Sequence, residues 1–244
     1  MTGACPADIE HSSAKKGGLI LASTFIGVDF DGTIVSQAVA NEANKRWFSY
    51  YADVLGEQSV TGSAIVAGDD FLPGVLEIMT RSKGRKPSSK TEEREYLREA
   101  REAYATLKLE LIANDQREVF REEIVKEVAL AKRRGARLAI VSSSFTEVIA
   151  PALTILGVRD SFEVIVAAAM DERVPKREML ERFFAQHGVW SLAAYVGDSD
   201  EDEEACRQLG VPFFRVVEGH TDVAALREFL EQHTQRKENK EKAR

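Results

Sequence analysis

The sequence predicts an α/β protein: a parallel sheet covered by helices on both faces, with an all-helical segment inserted after the first strand. Three observations predict it. From about residue 119 onward, short apolar runs alternate with amphipathic helical stripes, the pattern of strand–helix–strand crossovers. Residues 36–118 carry helical periodicity and little strand signal. Three apolar runs end in polar clusters, namely Asp29 with Asp31, Ser142 with Ser143 and Ser144, and Asp198 with Asp202. In a parallel sheet those ends share one edge, and ligands bind beyond it.

Residues 1–18 are polar, lack periodicity and contain Gly17-Gly18, so they read as a mobile tail. The apolar run 19–28 follows Lys15-Lys16, the outline of a secretion signal. It passes straight into Asp29 without a small-residue cleavage site, and it is too short to span a bilayer. A cytoplasmic chain with no membrane partner is expected. Phe25-Ile26-Gly27-Val28 is the first strand, ending in Asp29-Phe30-Asp31-Gly32-Thr33. Residues two apart in an extended backbone face the same way. The carboxylates of Asp29 and Asp31 therefore repel unless a cation or a shared proton relieves them. An ordinary Asp-Gly turn explains either residue alone; later segments supply partners for a site.

Within 36–118, Val39, Ala43, Trp47, Tyr51 and Val54 form one helical stripe, and after the link 56–68 a shorter one holds Phe71, Leu72, Val75, Leu76 and Met79. The basic stretch 81–90 reads as a solvated loop or, more sharply, as a flap over a phosphate. Ser89 and Glu92 have capping-box spacing and open a helix with Leu97, Ala100, Tyr104, Leu107 and Leu111 inward.

A helix carrying Phe120, Ile124, Val128 and Ala131 ends at Arg133-Arg134-Gly135. Strand 138–141 follows and runs into the three serines. Ser144 and Glu147 repeat the capping-box spacing before a helix with Val148, Ile149, Ala152 and Leu156, stopped by Gly157. Further strands are read at 162–168, 193–196 and 212–217. Helices fall at Lys176–His187, from the second acidic cluster to Leu209-Gly210, and around Val223, Leu226, Phe229 and Leu230. The end, 233–244, is a charged tail.

The chain has 244 residues, 44% hydrophobic and 30% charged, enough for one large core with an insertion. Its formal net charge of −7 gives no electrostatic footprint for nucleic acid. Small anionic substrates stay open, because local charge at a site outweighs the average. Cys5 and Cys206 lie far apart, so no disulfide framework is implied, and Cys206 reads as a core thiol. The four histidines form no ligand-spaced pair.

If Asp29, Asp31 and Asp198 converge, they demand a divalent cation, and oxygen-only ligands favour Mg²⁺ over Zn²⁺. Mg²⁺ keeps a position for a phosphate oxygen. Ser142 offers a hydroxyl to another such oxygen, and Lys176, after Pro175 at the head of its helix, is the lysine best placed to offset charge. Taken singly, Lys176 reads as a surface lysine and Ser142 as a turn hydroxyl or helix cap. Three polar strand ends on one edge make them a site.

These motifs, in this order, resemble the haloacid dehalogenase-like superfamily of aspartate-nucleophile hydrolases. Its DxDGT motif stands here as Asp29-Phe30-Asp31-Gly32-Thr33, and its Ser or Thr after a hydrophobic strand as Ser142 in LAIVSSS. Its downstream lysine is matched by Lys176, followed by Arg177 where proline is commoner, and its GDxxxD by Gly197-Asp198 through Asp202. The likeness covers residues 22–232.

The resemblance implies a Rossmann-like core over 19–35 and 119–232, with a C1-type helical cap over 36–118 that enters near 34–36, leaves near 118–121 and covers the strand-end cleft. It implies that Asp29 attacks phosphorus to form an aspartyl-phosphate, and that Asp31 protonates the leaving alcohol and then activates water. Ser142 and Lys176 would offset charge on the phosphoryl group, with Gly32, Thr33 and Ser143 also binding substrate. Mg²⁺ would be held by the side chains of Asp29 and Asp198 and the backbone carbonyl of Asp31, with Asp202 behind them or orienting Lys176. The expected activity is that of a Mg²⁺-dependent phosphatase acting on a small phosphorylated metabolite, as a monomer or homodimer. A sugar-phosphate mutase of the same superfamily and a non-catalytic phospho-ligand binder are the alternatives. A phospho-acceptor receiver domain would be much shorter and lack the insertion.

Overall fold

The computed structural model describes residues 24–57, 71–170, 172, 174–188 and 191–234. The expected tail 1–18, the first part of the run 19–28, nearly all of the link 56–68 and the charged end from 235 lie outside the described residues.

Strand β1 (Phe25–Val28) is followed by four helices, α1 (Gln37–Leu55), α2 (Phe71–Ser82), α3 (Lys90–Asn114) and the short α4 (Gln116–Val119). Alternation then sets in: α5 (Glu122–Arg133), β2 (Arg137–Phe145), α6 (Thr146–Ile155), β3 (Val164–Ala168), α7 (Lys176–His187), β4 (Leu192–Gly197), α8 (Asp200–Leu209), β5 (Phe213–Arg215) and α9 (Val223–Thr234). All strand pairs are parallel, in the order β3-β2-β1-β4-β5. The chain builds from β1 to one edge, returns, and builds to the other. Asp29, following β1, therefore stands where the strand order reverses, the place where open α/β sheets bind ligands.

Every residue of β1 is buried, as expected of a strand covered on both sides. Two-residue alternation sorts the strand side chains between two cores. Ile26, Val28, Leu138 and Ile140 join Ile124, Val128, Val148, Ile149 and Leu226 from α5, α6 and α9. Phe25, Ala139 and Val141 join Met179, Leu180, Phe183 and Cys206 from α7 and α8. The helices after β1 have a third core of their own, with Trp47, Tyr51, Val75, Ile78, Met79, Tyr96, Leu97 and Ala100. Trp47 Nε1 donates to the Ala100 carbonyl at 2.9 Å, tying α1 to α3.

The chain leaves and re-enters the sheet region side by side. Val35 pairs antiparallel with Phe120, Ser36 N donates to Val119 O at 2.8 Å, and Arg121 N donates to Ile34 O at 2.9 Å. Among the described residues no helix is long and apolar enough to cross a membrane.

The structure departs from the sequence reading at several places. Val54 is 49% exposed, because the i+4 progression of the α1 stripe continues to Leu55, which packs on the third core. One residue back is a turn of about 100° around the helix. Ser144 is not a helix cap: β2 stays extended through Phe145, which pairs with Ala168, and α6 starts without a side-chain cap. Ser89 does cap α3, accepting from Glu92 N at 3.2 Å, but the Glu92 carboxylate turns to Ser88 N and Oγ at 2.6 and 2.7 Å. Only half of that box forms. The basic loop is pinned to α3, with Lys83 on Glu99 at 2.6 Å and Arg85 paired with Glu92. These two cations face carboxylates, and no residue of 81–90 lines the cavity described below.

Candidate active site

Asp29 leaves β1 with its amide bonded to Val196 O at 2.9 Å, which fixes the residue between β1 and β4. It is 6% exposed. Lys176, the first residue of α7, is as deeply buried and closes on it. Its ammonium donates to Asp29 Oδ1 at 2.7 Å and to the Tyr195 hydroxyl at 3.1 Å, and it pairs with Asp202 Oδ1 at 2.8 Å. The Tyr195 hydroxyl in turn donates to Val141 O at 2.5 Å, beside Ser142. The head of α7 is anchored by a bond from Lys176 N to the Glu201 carboxylate at 2.8 Å. Arg177, where the resembling family commonly has proline, points away to Glu181 and Gln208.

The sequence reading had no hint of Tyr195. Its ring accounts for Gly27 in the strand: a Cβ there would lie 2.7 Å from Tyr195 Cδ2.

Asp202 occupies the third position of α8 and completes a reciprocal capping box with Ser199. Its Oδ2 accepts from Ser199 N and Oγ at 3.1 and 2.7 Å, while its own amide donates to Ser199 Oγ at 3.1 Å. One oxygen thus caps the helix and the other holds Lys176. Ligand oxygens of Asp29, Asp198 and Asp202 all lie within 4.8 Å of one another. Burial pushes the Asp29 carboxyl up to about 7, only partly countered by Lys176. Burial and the neighbouring Asp202 push Asp198 up to about 6. One ammonium among three crowded carboxylates leaves negative charge to be relieved, and the all-oxygen donor set fits a hard divalent cation.

Gly32 has φ +70°, and a Cβ on it would come within 2.0 Å of Asp198 Oδ2. Its carbonyl accepts from Arg121 Nη1 at 3.0 Å. Gly32 therefore makes room for a carboxylate. We expect Gly32→Ala to destabilise the chain by about 2–3 kcal/mol, from left-handed backbone strain and the displaced Asp198. A thermal melt checks this, and an unchanged Tm would show that the turn can rearrange freely.

Asp29 and Asp31 stand at the floor of a cavity of about 300 Å³. Ser142, Ser143, Ser144, Phe145, Lys176, Ser199 and Glu201 line it from the sheet side, and Asn44, Trp47, Val75, Ala100, Arg101 and Tyr104 from the inserted helices. The Ser143 hydroxyl is buried without a hydrogen-bond partner, while Ser142 Oγ accepts from Ser144 N at 3.2 Å. Gly32 and Thr33, expected to bind substrate, do not line the cavity. Thr33 is fully buried, and the backbone turns away after Asp31.

Asp31 does not join the Asp29, Asp198 and Asp202 side-chain cluster. Its Oδ1 accepts from Lys108 Nζ at 2.5 Å. Lys108 and Arg101 both lie on α3 and were missed in the sequence. The signal was there: Lys108 follows Tyr104 by four residues on the buried stripe, and Arg101 precedes it by seven. Arg101 Nη1 donates to Met170 O and Glu172 O, each at 2.8 Å, and its guanidinium lies 5.0 Å from the Phe145 ring.

The family model for haloacid dehalogenase-like hydrolases matches residues 25–210. Among curated proteins no significant sequence match is found. Solved structures share the fold at low identity. CbbY from Rhodobacter sphaeroides, solved with phosphate, is 19% identical over 83% of this chain and 91% of its own, with TM-score 0.54. A protein described as a predicted phosphoglycolate phosphatase from Haemophilus somnus is 15% identical over 87% of this chain and 99% of its own, with TM-score 0.56. A haloacid dehalogenase-like hydrolase from Streptococcus pneumoniae is 18% identical over 87% and 92%, with TM-score 0.53. At these identities the likeness is one of fold.

Proposed function

The chain belongs to the haloacid dehalogenase-like hydrolases, and on that premise we propose that it is a Mg²⁺-dependent phosphatase that cleaves a small phosphorylated metabolite through an aspartyl-phosphate. One observation carries the reading: Asp29, buried at the reversal of strand order, is held by Lys176 at 2.7 Å and lines, with Asp31, a cavity between the sheet edge and the inserted helices.

In the first step a carboxylate oxygen of Asp29 forms a bond to phosphorus as the ester O–P bond breaks. The departing oxygen takes a proton from Asp31. In the second step Asp31 takes a proton from water, the water oxygen bonds to phosphorus, and the Asp29–phosphorus bond breaks. Inorganic phosphate leaves and Asp29 returns as a carboxylate. Lys176 and the hydroxyls of Ser142 and Ser143 donate to the phosphoryl oxygens, an electrostatic task for which preorganised donors suffice. Asp29 and Asp198, with the Asp31 backbone carbonyl, would hold Mg²⁺, while Asp202 holds Lys176. When bound, the ion supplies the charge that keeps Asp29 ionised beside an incoming phosphate.

The test is release of inorganic phosphate from a panel of aryl and small alkyl phosphates, with Mg²⁺ and with excess chelator. Turnover with Mg²⁺ that chelator abolishes is expected. No release from any of them with Mg²⁺ present, or release indifferent to chelator, would overturn the reading.

A further inference from the structure

Resting on that reading, we infer that Lys108, delivered by α3 from the inserted segment, is a positioning residue for Asp31: it holds the proton-transferring carboxylate in place.

Lys108 is fully buried, with its ammonium 2.5 Å from Asp31 Oδ1. The rings of Phe30 and Tyr104 flank that ammonium, with centroids 5.5 and 5.8 Å away. On both sides along α3 the packing is apolar, with Ala105 and Ile112 in the sheet core. An ammonium in such a place is costly unless paired, and an apolar side chain of similar length would fill the space without that cost. The compensating charge in contact is that of Asp31, with the Tyr104 hydroxyl as a further partner. Lys108 does not line the cavity, whereas Asp31 does, with its side chain 24% exposed. Lys108 therefore acts through Asp31.

Helix geometry explains why α3 carries this contact. Positions seven apart lie on nearly the same face. Arg101 uses that face to bind the Met170 and Glu172 carbonyls after β3, and Lys108 uses it to reach the turn after β1. The first contact docks the helix on ordinary backbone. The second ends on the group that must transfer protons.

The role predicts a dependence on the leaving group. A nitrophenolate departs with little help from an acid, whereas an alkoxide needs its proton during bond breaking. In single-turnover alcohol release, Lys108→Met is expected to slow cleavage of an alkyl phosphate roughly 10- to 100-fold, and of a nitrophenyl phosphate less than about 3-fold. Asp31→Asn should show the same selective pattern. Lys108→Arg, which keeps the charge, is expected to hold the ratio of the two rates within about 3-fold of wild type. Thermal melts of each variant establish that it is folded.

Equal losses on both substrates in Lys108→Met and Lys108→Arg would make Lys108 a structural latch and overturn the inference, as would no loss on either. The proposed function fails separately, and the inference with it, if wild type cleaves neither substrate or if Asp29→Asn cleaves them as wild type does.

Discussion

Phosphate release is expected to fall at least about a thousandfold when Asp29 is replaced by asparagine. The amide has the shape of the carboxylic acid but no anionic oxygen to bond to phosphorus, so the covalent step is lost. The fold should survive. Burial already disfavours the Asp29 carboxylate, pushing it up to about 7, so a neutral amide fits the local field. Lys176 gives up one partner and keeps Asp202 at 2.8 Å and the Tyr195 hydroxyl at 3.1 Å. A phosphate assay beside a thermal melt checks both halves of the expectation. A folded Asp29→Asn protein with a tenth or more of wild-type turnover would remove Asp29 from the role of nucleophile.

Lys176→Met should damage stability as well as activity. Methionine matches the lysine stem but leaves Asp29 and Asp202 buried without their shared ammonium. Removing one partner of a buried ionic group destabilises by about 3–5 kcal/mol, which in a chain of this size corresponds to a Tm lower by roughly 6–20 °C. Burial, which alone would lower the Lys176 pKa, is outweighed by Asp29 and Asp202, so the group titrates above its ordinary value. Its contribution is fully present below the unfolded value of about 10.4 and fades only as pH rises through the folded one. The lysine is thus fully charged at neutral pH, while Asp29, already raised to about 7, takes up a proton as pH falls, so the deficit in Lys176→Met should grow with rising pH. Turnover should drop at least about a hundredfold, because a donor aimed at the phosphoryl oxygens is lost. Added Mg²⁺ should recover part of the Tm and little of the rate, since a second cation relieves the carboxylates without replacing that donor. Calorimetry with and without Mg²⁺ reads the first effect and phosphate release the second. A Tm within a degree of wild type would mean that the carboxylates protonate instead of repelling.

Much of the scaffold behind these expectations was legible residue by residue. The strand carrying Asp29, the helix from Lys176 to His187 and the turn Gly197-Asp198 are local patterns. Each is set by residues within a turn or a strand of one another, where periodicity and turn chemistry operate. Boundaries were less legible. The run LAIVSSS continues as strand to Phe145 because β3 offers Ala168 as a partner, which no property of the serines announces. The two buried cations of α3, Arg101 and Lys108, were passed over because lysine and arginine on a helix usually face water.

Short-range pattern was enough for the class of fold, the order of its elements and the carboxylates at the strand ends. The partners came from long-range packing: Lys108 with Asp31 across 77 residues, Lys176 with Asp29 across 147, and Tyr195 joining Lys176 to Val141. Those pairings depend on how helices settle against the sheet, and a buried charge takes whichever partner that packing brings within reach.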